Sequence, residues 1–146
     1  MTPYDKAAEL FTCGHNCSQA VIGAYCDKLN LDTEVALKIS SSFGGGMGHL
    51  GEVCGALTGA FMVLGLLKGY GKEPTAEQKN NHYALIKKVG EDFKACFGTY
   101  LCNDLLKGLG EKKYAFSATY SEELYKNRPC LLFVEKAVAL IDENIK

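Results

Sequence analysis

Apolar residues recur at helical spacing along most of the chain, and the strict alternation that marks a half-buried strand is nearly absent. Thr2, Pro3 and Asp5 stand in the order of an N-cap, a first-turn proline and a first-turn acid, which predicts a helix to about Thr12, ended by Gly14. Asn16 can cap a second helix from Cys17 to about Leu29, in which Ala20, Val21, Ala24, Tyr25 and Leu29 form an apolar stripe. Asp32 or Thr33 opens a third, with Val35, Leu37, Ile39 and Phe43 turned partly inward. Gly44 to Gly51 holds five glycines among eight residues, too many for a helix, and predicts a tight turn that brings backbone close to a neighbouring helix. Val53 to about Lys68 follows as a long, buried central helix. Thr75 with Gln78 forms a capping box for a helix to about Ala95, and Thr99 can cap a shorter one through Lys107. Residues 108–128 read as irregular or short-helical, and Pro129 starts a last helix that reaches Ile145. These elements predict an all-α fold: one domain over residues 1–146, a bundle of about six or seven helices with short connections.

Composition narrows the function classes. Hydrophobic residues make up 47% of the 146 and charged residues 23%, which argues against disorder. A net charge of −1 offers no basic field for nucleic acid or an acidic membrane. The uncharged run from Val53 to Leu67 ends after 15 residues between Glu52 and Lys68, short of the roughly 18 to 20 that cross a bilayer. The amino terminus lacks the basic start and apolar core of a secretion signal, so a cytoplasmic location is expected. Thiols stay reduced there, and clustered cysteines serve metal or redox chemistry more often than static cross-links.

Cysteine is the unusual residue. There are seven, an odd number that cannot all pair within one chain. Laid on the predicted helices, Cys17, Cys54, Cys102 and Cys130 each fall in a first turn. Unpaired N–H groups and the positive end of the helix dipole favour an anion there, hence a thiolate nucleophile or metal ligand. Cys26 reads as a mid-helix core residue, Cys96 as a helix-end residue, and Cys13 as subordinate to Cys17. None of the spacings is a CxxC, and none matches a zinc finger, zinc ribbon or ferredoxin. His49 and Glu52 flank Cys54 and could tune or accept its proton, and His15 stands in the same relation to Cys17. Gly51, Gly55 and Gly59 recur every four residues, a flat face that lets another helix approach.

The string from Gly51 to Ala60, GEVCGALTGA, with Asn16-Cys17-Ser18-Gln19-Ala20-Val21 upstream and Cys102 and Cys130 downstream, resembles the C-GCAxxG-C-C family of small redox-active proteins. Position by position, the resemblance makes Cys17, Cys54, Cys102 and Cys130 the four family cysteines. It implies thiol–disulfide exchange or electron relay, with a redox protein or a small thiol as partner and homo-oligomers possible. Cys54 is then expected as the more reactive thiolate with Cys17 resolving it, or the reverse, and Cys102 with Cys130 as a second pair. A similar domain in split-Soret cytochromes keeps an iron–sulfur role open. Two other readings stand beside this one: the same four thiolates holding an iron–sulfur cluster or zinc, and a helical scaffold without chemistry.

Overall fold

In the computed structural model, which describes residues 1–107 and 130–146, the caps read from the sequence start helices where expected. Thr2 and Asp5 close a capping box on α1 (Pro3–Thr12), and Asn16 and Gln19 close another on α2 (Cys17–Ala24). The apolar stripe continues through a short α3 (Cys26–Leu29). Asp32 caps α4 (Thr33–Ser40), which runs into a 3-10 turn over Ser41–Phe43. The central helix is α5 (Gly55–Lys68), the Thr75–Gln78 box opens α6 (Ala76–Phe97), and α7 (Cys102–Lys107) and α8 (Cys130–Asn144) complete the described elements. The family of elements is all-α, as the periodicity predicts. The expectations for 108–128 and for Pro129 lie outside the described residues.

Four local expectations are corrected. The predicted helix from Cys17 to Leu29 breaks at Tyr25, whose φ of −105° and ψ of 2° leave the helical region, so Cys26 begins a helix rather than sitting within one. The break accompanies a tertiary contact: the Tyr25 hydroxyl donates to Asp142 Oδ1 at 2.7 Å, on the last turn of α8. On α4, Val35 and Ile39 are exposed, and Ala36 and Ser40 face the core instead. The central helix starts at Gly55, two residues later than expected, and its Leu66 and Leu67 are exposed. Gly51 therefore lies before the helix and does not share its glycine face.

Gly55 and Gly59 do what the four-residue spacing predicts. A Cβ on Gly59 would stand 2.9 Å from the Ser18 carbonyl oxygen and 3.0 Å from Val21 Cβ, and one on Gly55 would stand 2.9 Å from the Phe43 carbonyl oxygen. Helices α2 and α5 thus meet nearly backbone to backbone, while α8 covers both and α1 packs on α2 and α8. Phe11, Tyr25, Leu57, Leu64, Phe93 and Ile141 fill the space between them, all essentially inaccessible. Burying one such large side chain contributes about 1.5–3 kcal/mol. The two close helices hold Cys17 and Cys54 at adjoining ends: Gly55, next to Cys54, has a Cβ position only 3.4 Å from Cys17 Cβ.

Candidate functional site

Each of the four cysteines is delivered to this end of the bundle by a different device. Asn16 fixes Cys17: its Oδ1 accepts from the Gln19 N–H at 2.9 Å, and its Nδ2 donates to the Ser41 carbonyl at 3.1 Å. Cys17 is the first residue of α2, as the sequence predicts, and Cys102 is the first of α7, which starts later than the Thr99 cap expected from the sequence. Cys130 is buried at the start of α8. Cys54 is different, because it is the N-cap of α5 and not a first-turn residue, with extended φ −52° and ψ 131°.

That extended conformation arises from a contact with no local sequence signature. Val53 and Leu101 form an isolated antiparallel bridge. The Cys54 N–H donates to the Tyr100 carbonyl at 2.8 Å, and the Cys102 N–H donates to the Glu52 carbonyl at 2.6 Å. Side chains alternate across such a segment, so Cys54 and Cys102 share the face opposite Val53 and Leu101.

The glycine loop forms the adjoining wall. Gly45, Gly46, Met47, Gly48 and His49 have φ between 62° and 73°, a run of left-handed backbone. For Met47 and His49, which carry a Cβ, this conformation costs about 1–2 kcal/mol each. The bare Cα atoms permit contact: a Cβ on Gly46 would lie 2.6 Å from Cys102 Cβ, and one on Gly45 would collide with the His49 ring. The expected tight turn is present, and it packs on the site itself.

Cys17, Cys54, Cys102 and Cys130 line one cavity of about 30 Å³, together with Asn16 and His49. Phe11, Leu105, Leu106 and Phe133 close its apolar side. A water needs roughly 10–15 Å³ measured in this way, so the space suits one or two waters and no larger guest. Cys17, Cys54 and Cys130 are 9%, 3% and 5% exposed, whereas Cys102 is half-buried. Of the four, Cys102 is the residue with appreciable exposure.

Burial dominates the electrostatics of Cys54. Desolvation, reinforced by the nearby sulfur of Cys130 and more weakly by that of Cys102, pushes its thiol up to about 12. The N–H groups of Ala56 and Leu57 act in the opposite direction and lose. The helix-end effect read from the sequence is present at Cys54, and it is smaller than the cost of removing water. Cys26 is also raised, first by burial, and its Sγ donates to the Ile22 carbonyl in the core. Cys13 and Cys96 are exposed, and none of these three reaches the cavity. Of the flanking polar residues, His49 lines the cavity; Glu52 is exposed and contributes its carbonyl. His15 contacts the Leu10 carbonyl through Nδ1, at 3.2 Å.

Among the described residues, no three His, Cys, Asp or Glu side chains are grouped so as to hold a metal ion.

The model of a family described as "Putative redox-active protein (C_GCAxxG_C_C)" matches residues 15–144. The chain belongs to this family. The match takes in all four cavity cysteines of this C-GCAxxG-C-C protein and leaves Cys13 outside. No curated protein and no solved structure matches the chain. No helix among its described residues is long and apolar enough to cross a membrane.

Sequence reasoning missed the apolar closure of the site. Phe11 and Phe133 lie on the stripes of α1 and α8 and are indistinguishable there from other core residues. The Val53–Leu101 bridge joins residues 48 apart and leaves no periodic trace.

Proposed function

We propose that this C-GCAxxG-C-C protein is a dithiol redox carrier that exchanges two electrons with the disulfide of a small thiol or a partner protein. The observation that supports the reading is the shared cavity: four cysteines from separate elements line it, and one of them is half-exposed. Cys102, in place of Cys54, takes the part of attacking sulfur in this reading. It is the accessible one, while Cys54 keeps its proton at neutral pH.

The step balances as follows. The Cys102 thiolate attacks one sulfur of the incoming disulfide, forming a mixed disulfide and releasing one thiolate. A second cavity sulfur, that of Cys54, Cys17 or Cys130, then attacks Cys102 Sγ and releases the other half. Two thiols of the protein become one disulfide, and one external disulfide becomes two thiols, with two electrons and two protons transferred. Burial of the resolving sulfur slows its ionisation until the first bond has formed beside it, which keeps the reduced centre from reacting indiscriminately.

Stopped-flow mixing of the anaerobically reduced protein with glutathione disulfide tests the reading. Loss of two protein thiols per disulfide consumed is expected, with the fast phase removed by Cys102→Ser. A protein that consumes no disulfide, or that carries stoichiometric iron or zinc released only with thiol modification, would contradict it.

A further inference from the structure

Among the described residues that line the cysteine cavity, His49 is the side chain able to accept a proton near neutral pH. The other titratable groups facing it are the thiols of Cys17 from α2, Cys54 from the α5 cap, Cys102 from α7 and Cys130 from α8. Among the described residues no carboxylate, ammonium or guanidinium lines the space, and the nearby Glu52 is exposed outside it. Imidazole is the one side chain whose ordinary titration falls between about pH 5 and 8.

His49 also occupies a backbone position that disfavours it. Its φ is 62°, in the left-handed region that glycine tolerates and other residues avoid, and three of the four residues before it in the loop are glycines with the same sign of φ. Glycine at position 49 would relieve that strain, yet an imidazole stands there, lining the cavity from a solvent-exposed position. Strain of this kind collects at functional positions. The loop is shaped around the ring, since any Cβ on Gly45 would collide with His49 Nδ1. The next residue, Gly46, seats Cys102, whose Cβ lies 2.6 Å from the Cβ position there. Imidazole and attacking sulfur therefore stand over consecutive residues of the same loop.

We infer that His49 is the proton acceptor of this cavity, taking the Sγ proton of Cys102 as that sulfur attacks a disulfide and returning it to the departing thiolate. The inference rests on the dithiol reading above. In the step the S–S bond of the incoming disulfide breaks, the bond between Cys102 Sγ and one of its sulfurs forms, and the proton ends on the released thiol. The imidazole returns to its starting state. A base beside the half-buried Cys102 can take its proton as the sulfur attacks, which raises its reactivity at neutral pH.

The test is the pH dependence of iodoacetamide alkylation at Cys102, followed by peptide mass spectrometry, in the wild type, His49→Gly and His49→Asn. Both replacements tolerate a left-handed backbone, and His49→Gly is expected to be at least as heat-stable as the wild type. At pH 7 the wild type should react roughly tenfold or more faster than either variant. The inflection of the variants should move up towards the ordinary thiol range near 8.5. Added imidazole should restore part of the rate in His49→Gly. Superimposable profiles, or slower alkylation accompanied by lost thermal stability in both variants, would overturn the inference. A wild type that shows the His49-dependent profile yet transfers nothing to glutathione disulfide would remove the dithiol reading and leave the proton acceptor standing.

Discussion

Cys54 and Cys102 stand diagonally across the Val53–Leu101 bridge, each donating its amide N–H to the opposite segment, at 2.8 Å to Tyr100 and 2.6 Å to Glu52. Their separation is thus set by backbone hydrogen bonds and depends little on rotamer choice. A half-buried sulfur and a deeply buried one are held together by the same pair of bonds, while α2 and α8 bring Cys17 and Cys130 to the same cavity. The proposed roles rest on this difference in access: Cys102 would meet the reagent, and a buried neighbour would complete the exchange.

The close approach of α2 and α5 should be sensitive to a single methyl group. Gly59→Ala places a Cβ against the Ser18 carbonyl oxygen, a backbone atom that cannot swing aside, and should cost about 1–3 kcal/mol by urea denaturation. Gly65→Ala on the same helix meets nothing within 4 Å and should stabilise by about 0.4–1 kcal/mol. Equal effects at the two positions would mean that the helices do not meet at Gly59.

Tyr25 ties the break after α2 to the helix that carries Cys130. Its side chain is inaccessible, and its hydroxyl donates to Asp142 and, at 3.3 Å, to the Val138 carbonyl. Tyr25→Phe keeps the ring and removes a bond to a charged acceptor, so a loss of about 1.5–3 kcal/mol is expected. A Tm within a degree of the wild type would show that the bond is not made in solution.

Alkaline pH should unfold the protein through Cys54. Its pKa is raised from 9.0 to about 12 by burial, so between these values the native state keeps a proton that the unfolded chain has lost. The native state then binds more protons, and stability falls with rising pH across that window. Tyr25, also raised by burial and by its bond to Asp142, adds to the fall at its upper end. Urea midpoints measured from pH 7 to 10.5 should decline in the wild type and decline less steeply in Cys54→Ala. Parallel curves would show that Cys54 is solvated in the native protein.

Much of this was legible in the sequence because the signals are local. The caps at Thr2, Asn16, Asp32 and Thr75 act within one turn, and the stripe on α2 and the Gly55–Gly59 spacing report one helix face. The grouping of four cysteines was visible through helix starts and a family pattern. What escaped depends on partners far away in the chain. The bridge that makes Cys54 an extended N-cap comes from Leu101, and which face of α4 is covered is set by its tertiary neighbours, with Ala36 and Ser40 buried and Val35 and Ile39 exposed. The balance at Cys54 between helix-end N–H groups and desolvation required its depth, which composition does not carry.

The central claim is that the four cavity cysteines form one dithiol centre, and disulfide mapping tests it most directly. The reduced protein, equilibrated anaerobically with a glutathione redox buffer, is trapped with acid, alkylated and mapped by peptide mass spectrometry. The account predicts an intramolecular bridge drawn from Cys17, Cys54, Cys102 and Cys130, formed with the loss of two hydrogens, while Cys13, Cys26 and Cys96 are recovered as thiols. Bridges that involve Cys13, Cys26 or Cys96, or four cavity cysteines that stay reduced while the exposed thiols oxidise, would contradict it.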